Sequence, residues 1–303
     1  MAGGLPVAVA PNPPWLPEAV IAGGGRVVDP RDAEALVWGL DHDVEALRAL
    51  LAGHPAIGWV QLSAAGVEPY VALFGDGRVW TSAKGAFAKP VAEHALALAL
   101  AGFRQLPHRA RAERWEGKGG RSLFGASVTL VGGGGVAQAL MELLAPFGPQ
   151  VTVVRNRPDP LPGASRVLAA ERLPEALRSS DLVVLATALT AHTRGMIGRE
   201  QLRQMGPSCW LVNVGRGALV RTGELVDALV EGEIGGAALD VTDPEPLPED
   251  HPLWRIDSCL ITPHTANLPE TERLLLSRLI AHNVRQRSQG LELEGRVNPD
   301  LGY

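Results

Sequence analysis

The feature that most constrains the fold is an apolar run that ends in a glycine turn and continues as a helical pattern. The run GASVTLV (125–131) precedes four consecutive glycines, and VAQALMELLAPFG (136–148) then places apolar residues at helical spacing. A buried strand, a tight turn and a helix in this order begin a βαβ unit, which is completed by a parallel strand. Short apolar runs and longer helical patterns alternate along the rest of the chain, so we predict an α/β fold with parallel sheets.

The predicted elements divide the chain into two α/β lobes and a last helix. Runs typical of buried strands lie at 5–11, 26–30, 35–40, 56–63, 125–131, 150–156, 180–187, 209–215, 237–241 and 259–263. Helical patterns lie at 42–53, from about 89 to 106, and at 136–148, 222–234 and 269–290. We place the first lobe near 1–90 and the second, which contains the glycine turn, near 91–270.

Length and composition indicate a globular protein of about two domains. The chain has 303 residues, of which 46% are hydrophobic and 20% charged, as expected for domains that bury their own cores. A net charge of −5 argues against a nucleic-acid partner, which would require a clustered basic surface. The densest basic stretch, which we interpret as a solvated helix face, contains Arg104, Arg109, Arg111 and Arg114.

Cysteine use and hydropathy predict a cytoplasmic protein without a membrane partner. Cys209 and Cys259 lie in apolar strand-like runs and suggest no disulfide framework, which favours a reducing compartment. The N-terminus lacks a basic segment and has early prolines, so no signal peptide is expected. The apolar helical pattern at 91–103 is too short to span a bilayer and contains Glu93 and His94. We predict no metal site.

The glycine turn has the spacing of a dinucleotide-binding fingerprint, Gly132-x-Gly134-x-x-Ala137. Gly132 permits the tight turn, Gly134 allows a pyrophosphate to approach the backbone, and Ala137 keeps the helix close to the strand. The helix that begins near Gly135 and Val136 offers unpaired N–H groups and the positive end of its dipole to the phosphates. Glycine clusters also mark ordinary turns, but here the cluster joins a strand to a helix, which predicts cofactor binding.

The end of the next strand indicates which dinucleotide is preferred. An acid at this position would accept hydrogen bonds from the ribose hydroxyls of NAD, but the strand VTVV ends at Arg155, followed by Asn156 and Arg157. Arginines form paired, charge-assisted hydrogen bonds to a phosphate. We therefore predict NADP(H) in preference to NAD(H); the alternative is that both arginines are solvated loop charges.

Three residues from separate parts of the chain could carry the chemistry: Arg216 in VNVGRGALV, Glu245 in DVTDPEPLP and His264 in ITPHTAN. A guanidinium presents fork-shaped donors to a planar anion, and an imidazole can give a proton to a carbonyl oxygen. A carboxylate can fix the imidazole ring. Singly, each also fits a structural role, as a surface arginine, a turn carboxylate and a buried histidine; together they suit reduction of a 2-oxo acid.

Four phrases carry a resemblance to a known family. They are SDLVVLATALTAHTRGMI (180–197), LVNVGRGALV (211–220), GGAALDVTDPEPLPEDHPLW (235–254) and LITPHTAN (260–267). The chain resembles the D-isomer-specific 2-hydroxyacid dehydrogenases, in particular glyoxylate/hydroxypyruvate reductases. The resemblance implies two Rossmann-like lobes, with a dinucleotide-binding domain (91–270) inserted into a discontinuous substrate domain (1–90). The C-terminal helix (271–303) returns to that substrate domain, and the family implies a homodimer.

The resemblance also implies roles on the substrate side. Arg216 would hold the carboxylate and carbonyl oxygen of the substrate, and His264 would be the general acid/base. Glu245 would hydrogen-bond the imidazole and fix its orientation. In the first lobe the loop SAAGVEPY would receive the substrate carboxylate on backbone amides near Ala65 and Gly66, a task that backbone N–H groups suit; an ordinary glycine-containing turn explains this loop almost as well.

Further positions are implied on the cofactor side. Asp240 would contact the nicotinamide carboxamide, and Val214 and Gly215 would place backbone beside the nicotinamide ring. Ala188 stands where the family often has a proline near the adenosine, which bears on cofactor fit more than on catalysis.

The predicted function is therefore NAD(P)-dependent reduction of a small 2-oxo acid, such as glyoxylate or hydroxypyruvate, to the D-2-hydroxy acid. Two alternatives stay open from the sequence. One is an NAD-linked dehydrogenase that acts on a bulkier 2-hydroxy acid. The other is a non-catalytic, nucleotide-sensing binding protein of the same fold, against which the presence of all three candidate catalytic residues argues.

Overall fold

A computed structural model describes residues 4–11, 13–39, 43–115, 117–299 and 302. The chain forms two compact units. The first unit combines Met1–Phe87 with Leu268–Tyr303, and the second unit is Ala88–Asn267. The second unit is thus inserted between two segments of the first. The predicted strand end at residue 40 and helix start at residue 42 lie outside the described residues.

Strands and helices alternate along most of the chain. Up to residue 87 they are β1 (Pro6–Ala10), α1 (Trp15–Ala22), β2 (Arg26–Val27), β3 (Ala35–Trp38), α2 (Val44–Gly53), β4 (Trp59–Leu62) and β5 (Val79–Thr81). The second unit contains α3 (Ala88–Phe103), α4 (Leu106–Ala110), β6 (Ser127–Val131), α5 (Gly135–Leu144), β7 (Gln150–Val154), β8 (Arg166–Leu168), α6 (Leu173–Arg178), β9 (Leu182–Leu185), α7 (Arg199–Met205), β10 (Trp210–Asn213), α8 (Thr222–Val230), β11 (Gly236–Leu239) and β12 (Cys259–Ile261). The last helix is α9 (Pro269–Ser288).

The first unit is built on a five-stranded parallel sheet in the order β2-β1-β3-β4-β5. Its central strands are buried on both faces: Val7 and Val37 contribute to one apolar cluster, and Leu36 and Trp38 to the other. Burial on both faces explains why these strands are continuous apolar runs and not alternating ones. Helices α1 and α9 pack against each other within the first of these clusters, so the C-terminal segment completes the first unit.

The second unit is built on a seven-stranded parallel sheet in the order β12-β11-β10-β9-β6-β7-β8. The chain moves outward from β6 through β7 and β8, then returns to the other side of β6 for β9 to β12. Val131 at the end of β6 therefore pairs with Val154 on one side and Leu185 on the other. This reversal is the topological switch point of a dinucleotide-binding fold, and ligands bind at the carboxyl ends of strands there.

Both sheets are parallel, so the predicted fold class is confirmed. The differences concern short elements. β5 and β8 have three residues each, which is too few to produce a recognisable pattern, and neither strand was predicted from the sequence. The predicted strand at 26–30 is reduced to Arg26–Val27 because Pro30 begins a 3₁₀ turn, which the Asp29 side chain caps.

The interpretation of the basic stretch as one helix face is wrong. α3 ends at Phe103, and Gln105 in the next turn has φ 53. Of the four arginines only Arg109 lies in a helix, the five-residue α4; Arg111, for example, follows it. Because a left-handed residue separates α3 from α4, these side chains cannot share one helical surface.

Three further findings concern the described residues. None of their helices is both long and apolar enough to cross a membrane. No cluster of histidine, cysteine and acidic side chains among them is arranged to hold a metal ion. The two cysteines are free, and burial raises the pKa of both Cys209 and Cys259 to about 12.

Candidate active site

The predicted site residues of the second unit follow the carboxyl ends of its strands. The glycine turn follows β6, Arg155 to Arg157 follow β7, Ala188 follows β9, Val214 to Arg216 follow β10, Asp240 and Glu245 follow β11, and His264 follows β12. All seven strands are parallel, so these residues lie along one edge of the sheet. This edge contains the switch point.

Gly132 occupies a position that only glycine can take. Its φ is +109, in the left-handed region that side chains disfavour. An added Cβ would lie 2.3 Å from the carbonyl oxygen of Ala186. The Gly132 amide donates to the oxygen of Val154 at 2.8 Å. The turn is thus held between the strands on both sides of β6.

The next part of the turn is open. An added Cβ at Gly134 would meet nothing within 4 Å, and Gly134 has no side chain to cap α5. Gly134 and Gly135 are exposed, whereas Ala137 is fully buried against the sheet. The first amides of a helix have no partners within it and attract anions. The turn therefore has the shape and the donors that fit a dinucleotide pyrophosphate.

Arg155 lies beside the glycine turn. Its amide donates to Leu168 at 3.0 Å, which fixes the backbone at the end of β7. A Cβ built on Gly133 would be 2.9 Å from Cδ of Arg155, so the arginine side chain runs over that glycine. Asn156 and Arg157 follow and are exposed. Within the described part of the chain neither Arg155 nor Arg157 forms an ion pair. The end of β7, where an acid would favour NAD, thus carries three side chains that can donate hydrogen bonds.

The turns after β9 and β10 touch each other. Thr193 Oγ1 donates to the carbonyl oxygen of Ala188 and accepts from the amide of Thr190, both at 2.8 Å, which closes the turn that contains Ala188. A Cβ on Gly215 would lie 3.1 Å from the oxygen of Thr187. Gly215 therefore allows these two turns to pack closely.

Asn213 holds the turn that carries Arg216. It is the last residue of β10 and is 1% exposed. Its Nδ2 donates to the carbonyl oxygen of Arg216 at 2.9 Å, and its Oδ1 accepts from the amide of Gly215 at 3.1 Å. Arg216 Nη1 donates to the oxygen of Gly215 at 2.8 Å, and Val214 is half-buried. The role of Asn213 was not predicted from the sequence, although asparagine at the end of a strand commonly forms hydrogen bonds with nearby backbone.

Gly217 brings the Arg216 turn against the segment that leads to Glu245. A Cβ at Gly217 would be 1.9 Å from the oxygen of Thr242 and 2.6 Å from the nitrogen of Asp243. These are backbone atoms, so no side chain can be accommodated. Thr222 Oγ1 also donates to the Asp243 oxygen at 2.6 Å. The two segments are therefore fixed relative to each other by backbone contact.

His264 and Glu245 form the hydrogen bond that the sequence predicts. His264 Nδ1 lies 2.6 Å from Glu245 Oε1, and the two side chains are 53% and 41% exposed. His264 has φ +52, which is uncommon for a residue with a side chain and is frequent at functional sites. Because Nδ1 is engaged by the carboxylate, Nε2 is the ring nitrogen that can serve a substrate.

Asp240 holds the loop that presents His264. Its buried carboxylate accepts from Thr262 Oγ1 at 2.7 Å and from the amides of Thr265 and Ala266 at 2.9 and 3.1 Å. His94 Nε2 lies 3.2 Å from Asp240 Oδ1 and 2.9 Å from Thr262 Oγ1. Burial raises the pKa of Asp240, but these hydrogen bonds outweigh it and leave the pKa below its ordinary value.

This network adds a role for Asp240 to the predicted one. The carboxylate fixes the His264 loop, whose amide at His264 also donates to the backbone oxygen of Asp240 at 2.8 Å. A contact with the nicotinamide carboxamide stays a prediction. His94 was not identified from the sequence as part of this network, because it precedes Thr262 by 168 residues.

Ala65 and Gly66 lie in the first unit, in the loop after β4. Ser63 anchors this loop: its amide and its hydroxyl both donate to the carbonyl oxygen of Trp38, at 3.2 and 2.6 Å. Ala65 is exposed and Gly66 half-buried. Their amides are in an irregular loop, as an anion-binding role requires, and that role stays a prediction.

A dinucleotide-binding sheet whose later strands carry a histidine–carboxylate pair is the arrangement of nicotinamide-dependent dehydrogenases. Residues 94–266, more than half of the chain, match the sequence model described as D-isomer specific 2-hydroxyacid dehydrogenase, NAD binding domain. The chain belongs to the D-isomer specific 2-hydroxyacid dehydrogenase family.

Individual relatives agree with this assignment. A Corynebacterium melassecola protein, described as an uncharacterized protein in the proB 3′ region, is 37% identical over 296 residues, 94% of this chain and 95% of the relative. The human glyoxylate reductase/hydroxypyruvate reductase is 35% identical over 167 residues, which cover 54% of this chain and 51% of that enzyme. The chain thus spans about half the length of this reductase.

A solved structure matches the fold over its whole length. The D-isomer specific 2-hydroxyacid dehydrogenase of Xanthobacter autotrophicus Py2, in complex with NADPH and MES, has a TM-score of 0.86 and 28% identity, with 100% of both chains covered. Family membership makes this chain an oxidoreductase that uses a nicotinamide cofactor and acts on small 2-oxo or 2-hydroxy acids. These predictions from the sequence are confirmed.

Proposed function

We propose that this enzyme reduces a small 2-oxo acid of the glyoxylate or hydroxypyruvate type to the D-2-hydroxy acid, with NADP(H) preferred over NAD(H). The observation that carries the proposal is the 2.6 Å hydrogen bond between His264 and Glu245. It lies on the edge of the sheet that also carries the glycine turn and Arg216. The name of the human reductase, 35% identical in the aligned part, supports this substrate class.

His264 is proposed as the general acid. When bound, the reduced cofactor supplies a hydride to the carbonyl carbon of the substrate. Nε2 of His264 gives its proton to the carbonyl oxygen and takes it back in the reverse direction. Glu245 accepts the hydrogen bond from Nδ1, which fixes the tautomer and the ring orientation.

Arg216 is proposed to bind the substrate. Its guanidinium can pair with the carboxylate and polarise the carbonyl oxygen, where negative charge develops during reduction. The hydrogen bonds of Asn213 to the turn support this role, because a fixed backbone limits the positions that the guanidinium can take. The amides of Ala65 and Gly66 are proposed to receive the substrate carboxylate in the first unit.

The proposed cofactor contacts follow the same edge of the sheet. The phosphates are assigned to the turn after β6, the 2′-phosphate to the end of β7, the adenosine side to the turn after β9, and the nicotinamide to the ends of β10 and β11. The residues are, in that order, Gly132, Gly134, Gly135 and Val136; Arg155, Asn156 and Arg157; Ala188; and Val214, Gly215 and Asp240. The NADPH complex of the Xanthobacter dehydrogenase supports the proposed preference.

Steady-state kinetics with a panel of 2-oxo acids test the proposal. NADPH and NADH would each be paired with glyoxylate, hydroxypyruvate and a bulky acid such as phenylpyruvate. We expect the highest kcat/KM with NADPH and one of the two small acids. Equal or better efficiency with NADH would refute the cofactor preference, and a preference for the bulky acid would favour the NAD-linked alternative. Cofactor binding without turnover on any acid would identify a nucleotide-sensing protein.

A homodimer is part of the proposal because the family implies one. Light scattering in solution would test it. A mass twice that of the 32.0 kDa chain would support the dimer, and a single-chain mass would contradict it.

A further inference from the structure

Glycine is favoured for a different structural reason at each of residues 132, 133 and 134. Gly132 is required by its positive φ and by the nearby Ala186 oxygen, and Gly134 faces open space. Gly133 does not adopt a left-handed φ. The three atoms that would lie nearest to its Cβ belong to the Arg155 side chain: Cδ at 2.9 Å, Nε at 3.2 Å and Nη1 at 3.4 Å.

A side chain at residue 133 would therefore displace Arg155 and leave the fold intact. The Gly133 carbonyl oxygen accepts from Gln138 Nε2 at 3.2 Å, so the turn is tied to α5. The backbone of Arg155 is tied to Leu168. The flexible arginine side chain is the part that can move. Glycine at this position thus determines where the guanidinium lies.

The position of the Arg155 guanidinium suits a phosphate on the adenosine ribose. In a dinucleotide-binding fold the glycine turn receives the pyrophosphate, and the end of the second strand reaches the ribose hydroxyls of the adenosine. Arg155 begins at the end of β7 and lies over the glycine turn, between these two positions. A guanidinium that lies there, in the space left by the missing side chain of Gly133, is available for paired hydrogen bonds to a phosphate on the 2′ hydroxyl.

We propose that Gly133 is a specificity-determining residue, whose missing side chain lets Arg155 lie over the turn and receive the 2′-phosphate of NADP(H). This inference rests on the proposed NADP(H) preference and assigns part of that preference to a residue that makes no contact with the phosphate itself. The contribution of Arg155 to the discrimination between cofactors then depends on Gly133 as well as on the arginine itself.

A double-mutant cycle of Gly133→Ala and Arg155→Ala tests the pair. The readouts are the Kd of NADP⁺ and NAD⁺ from isothermal titration calorimetry, and kcat/KM with NADPH and NADH. We expect Arg155→Ala to weaken NADP⁺ binding about 30-fold, as for loss of a charge-assisted hydrogen bond. Gly133→Ala should weaken it about fivefold, and NAD⁺ binding should change by less than about twofold in both variants. The double variant should match Arg155→Ala, since coupled effects do not add.

Two other glycines serve as controls. Gly134→Ala places a methyl group on the open side of the turn and should weaken NADP⁺ and NAD⁺ equally. Gly223→Ala, in α8 with nothing within 4 Å of its Cβ, should change neither. Thermal melting of each variant reports on the fold, and the melting temperature of Gly133→Ala should equal that of the wild type within about 2 °C.

The outcomes separate this inference from the proposal on which it rests. If the wild-type enzyme binds NADP⁺ no more tightly than NAD⁺, the proposed cofactor preference fails and the inference fails with it. If the preference holds but Arg155→Ala leaves NADP⁺ binding unchanged, only the inference fails. If Arg155→Ala weakens NADP⁺ but Gly133→Ala does not, only the inference fails. Additive effects in the double variant, equal losses for both cofactors, or a lowered melting temperature for Gly133→Ala would also overturn it, because the glycine would then act independently of Arg155.

Discussion

His264 unites a costly backbone conformation with a side chain that can transfer a proton. A residue with a side chain at φ +52 is retained only where its surroundings fix it, and here those surroundings are the Asp240 network and the Glu245 hydrogen bond. The loop after β12 therefore presents the imidazole in one orientation. The backbone conformation destabilises the loop, and in return it fixes the position of Nε2.

Replacement of His264 by Gln tests its role as the acid. Gln has a similar reach but cannot donate a proton to the carbonyl oxygen, so kcat should fall about 100-fold to 10,000-fold. The Kd of the cofactor should stay within about twofold, because cofactor binding does not depend on the acid. His192→Gln, at an exposed histidine of the same unit, should retain full activity. Nearly normal turnover in His264→Gln would exclude it as the acid.

Asp240 makes the stability of the second unit depend on pH in a defined direction. Its pKa in the folded chain lies below the ordinary value of 3.8, so its ionised form stabilises the fold at every pH above that value. This contribution is lost as pH falls through the lower, folded-state pKa. In Asp240→Asn the carboxylate is absent at all pH values. The free-energy difference from wild type should therefore be constant above about pH 5 and shrink below about pH 4.

Denaturant unfolding at a series of pH values would measure this difference. Asp159→Asn, at an exposed aspartate, is the matched control and should show no such dependence of comparable size. A difference for Asp240→Asn that grows as pH falls would contradict the assigned direction.

At the scale of elements, α9 is attached to the first sheet by a buried polar contact as well as by apolar packing. Asn283 is fully buried. Its Nδ2 donates to Gln61 Oε1 at 2.8 Å and to the Glu294 oxygen at 3.0 Å, and its Oδ1 accepts from the Glu294 amide at 2.9 Å. One side chain thus joins β4, α9 and the segment after the helix.

Asn283→Ala should destabilise the first unit by about 3 kcal/mol, because it leaves buried polar groups without partners. Equilibrium unfolding in urea would measure the loss. Arg278→Ala, at an exposed position of the same helix, should stay within about 0.5 kcal/mol of wild type. A loss for Asn283→Ala no larger than that of the control would show that the contact contributes little.

The elements and site residues that the sequence predicts are those with a local signal. The buried strands can be predicted because each is a run of apolar residues. The glycine turn can be predicted from the spacing between Gly132 and Ala137. β5 and β8 are too short to leave such a signal. The roles of His94 and Gly217 depend on partners that only the folded chain brings near, and local patterns carry no information about them. Asn213 lies between these cases, since its hydrogen bonds reach only three residues along the chain.

At the scale of the whole molecule, the discontinuous first unit predicts how the chain responds to truncation. Leu276, Ile280 and Val284 of α9 are buried in the same cluster as Val7 and Val20. Deletion of 268–303 removes five of the thirteen buried residues of this cluster and should prevent residues 4–87 from folding. The second unit has its own cores, so a fragment of residues 88–267 should fold alone.

Circular dichroism and limited proteolysis of both truncated chains would test this prediction. We expect the chain that ends at residue 267 to be cleaved within its first 87 residues while the rest resists. The isolated fragment 88–267 should melt cooperatively and bind NADP⁺. Cooperative melting of the first segment without α9 would contradict its dependence on that helix. An unfolded fragment 88–267 would contradict the independence of the second unit.

The contact between Gly217 and Thr242 has a consequence for how such an enzyme can change its substrate during evolution. Because no side chain fits between these backbones, substitution cannot adjust the spacing of the Arg216 and Glu245 segments. In the proposed mechanism these two segments carry the substrate-binding arginine and the partner of the general acid, so Gly217 would keep the catalytic geometry fixed. A change of substrate is then expected to come from the loop at residues 63–66, which takes no part in this contact, so that the substrate would change in one part of the gene and the chemistry would be inherited unchanged in another.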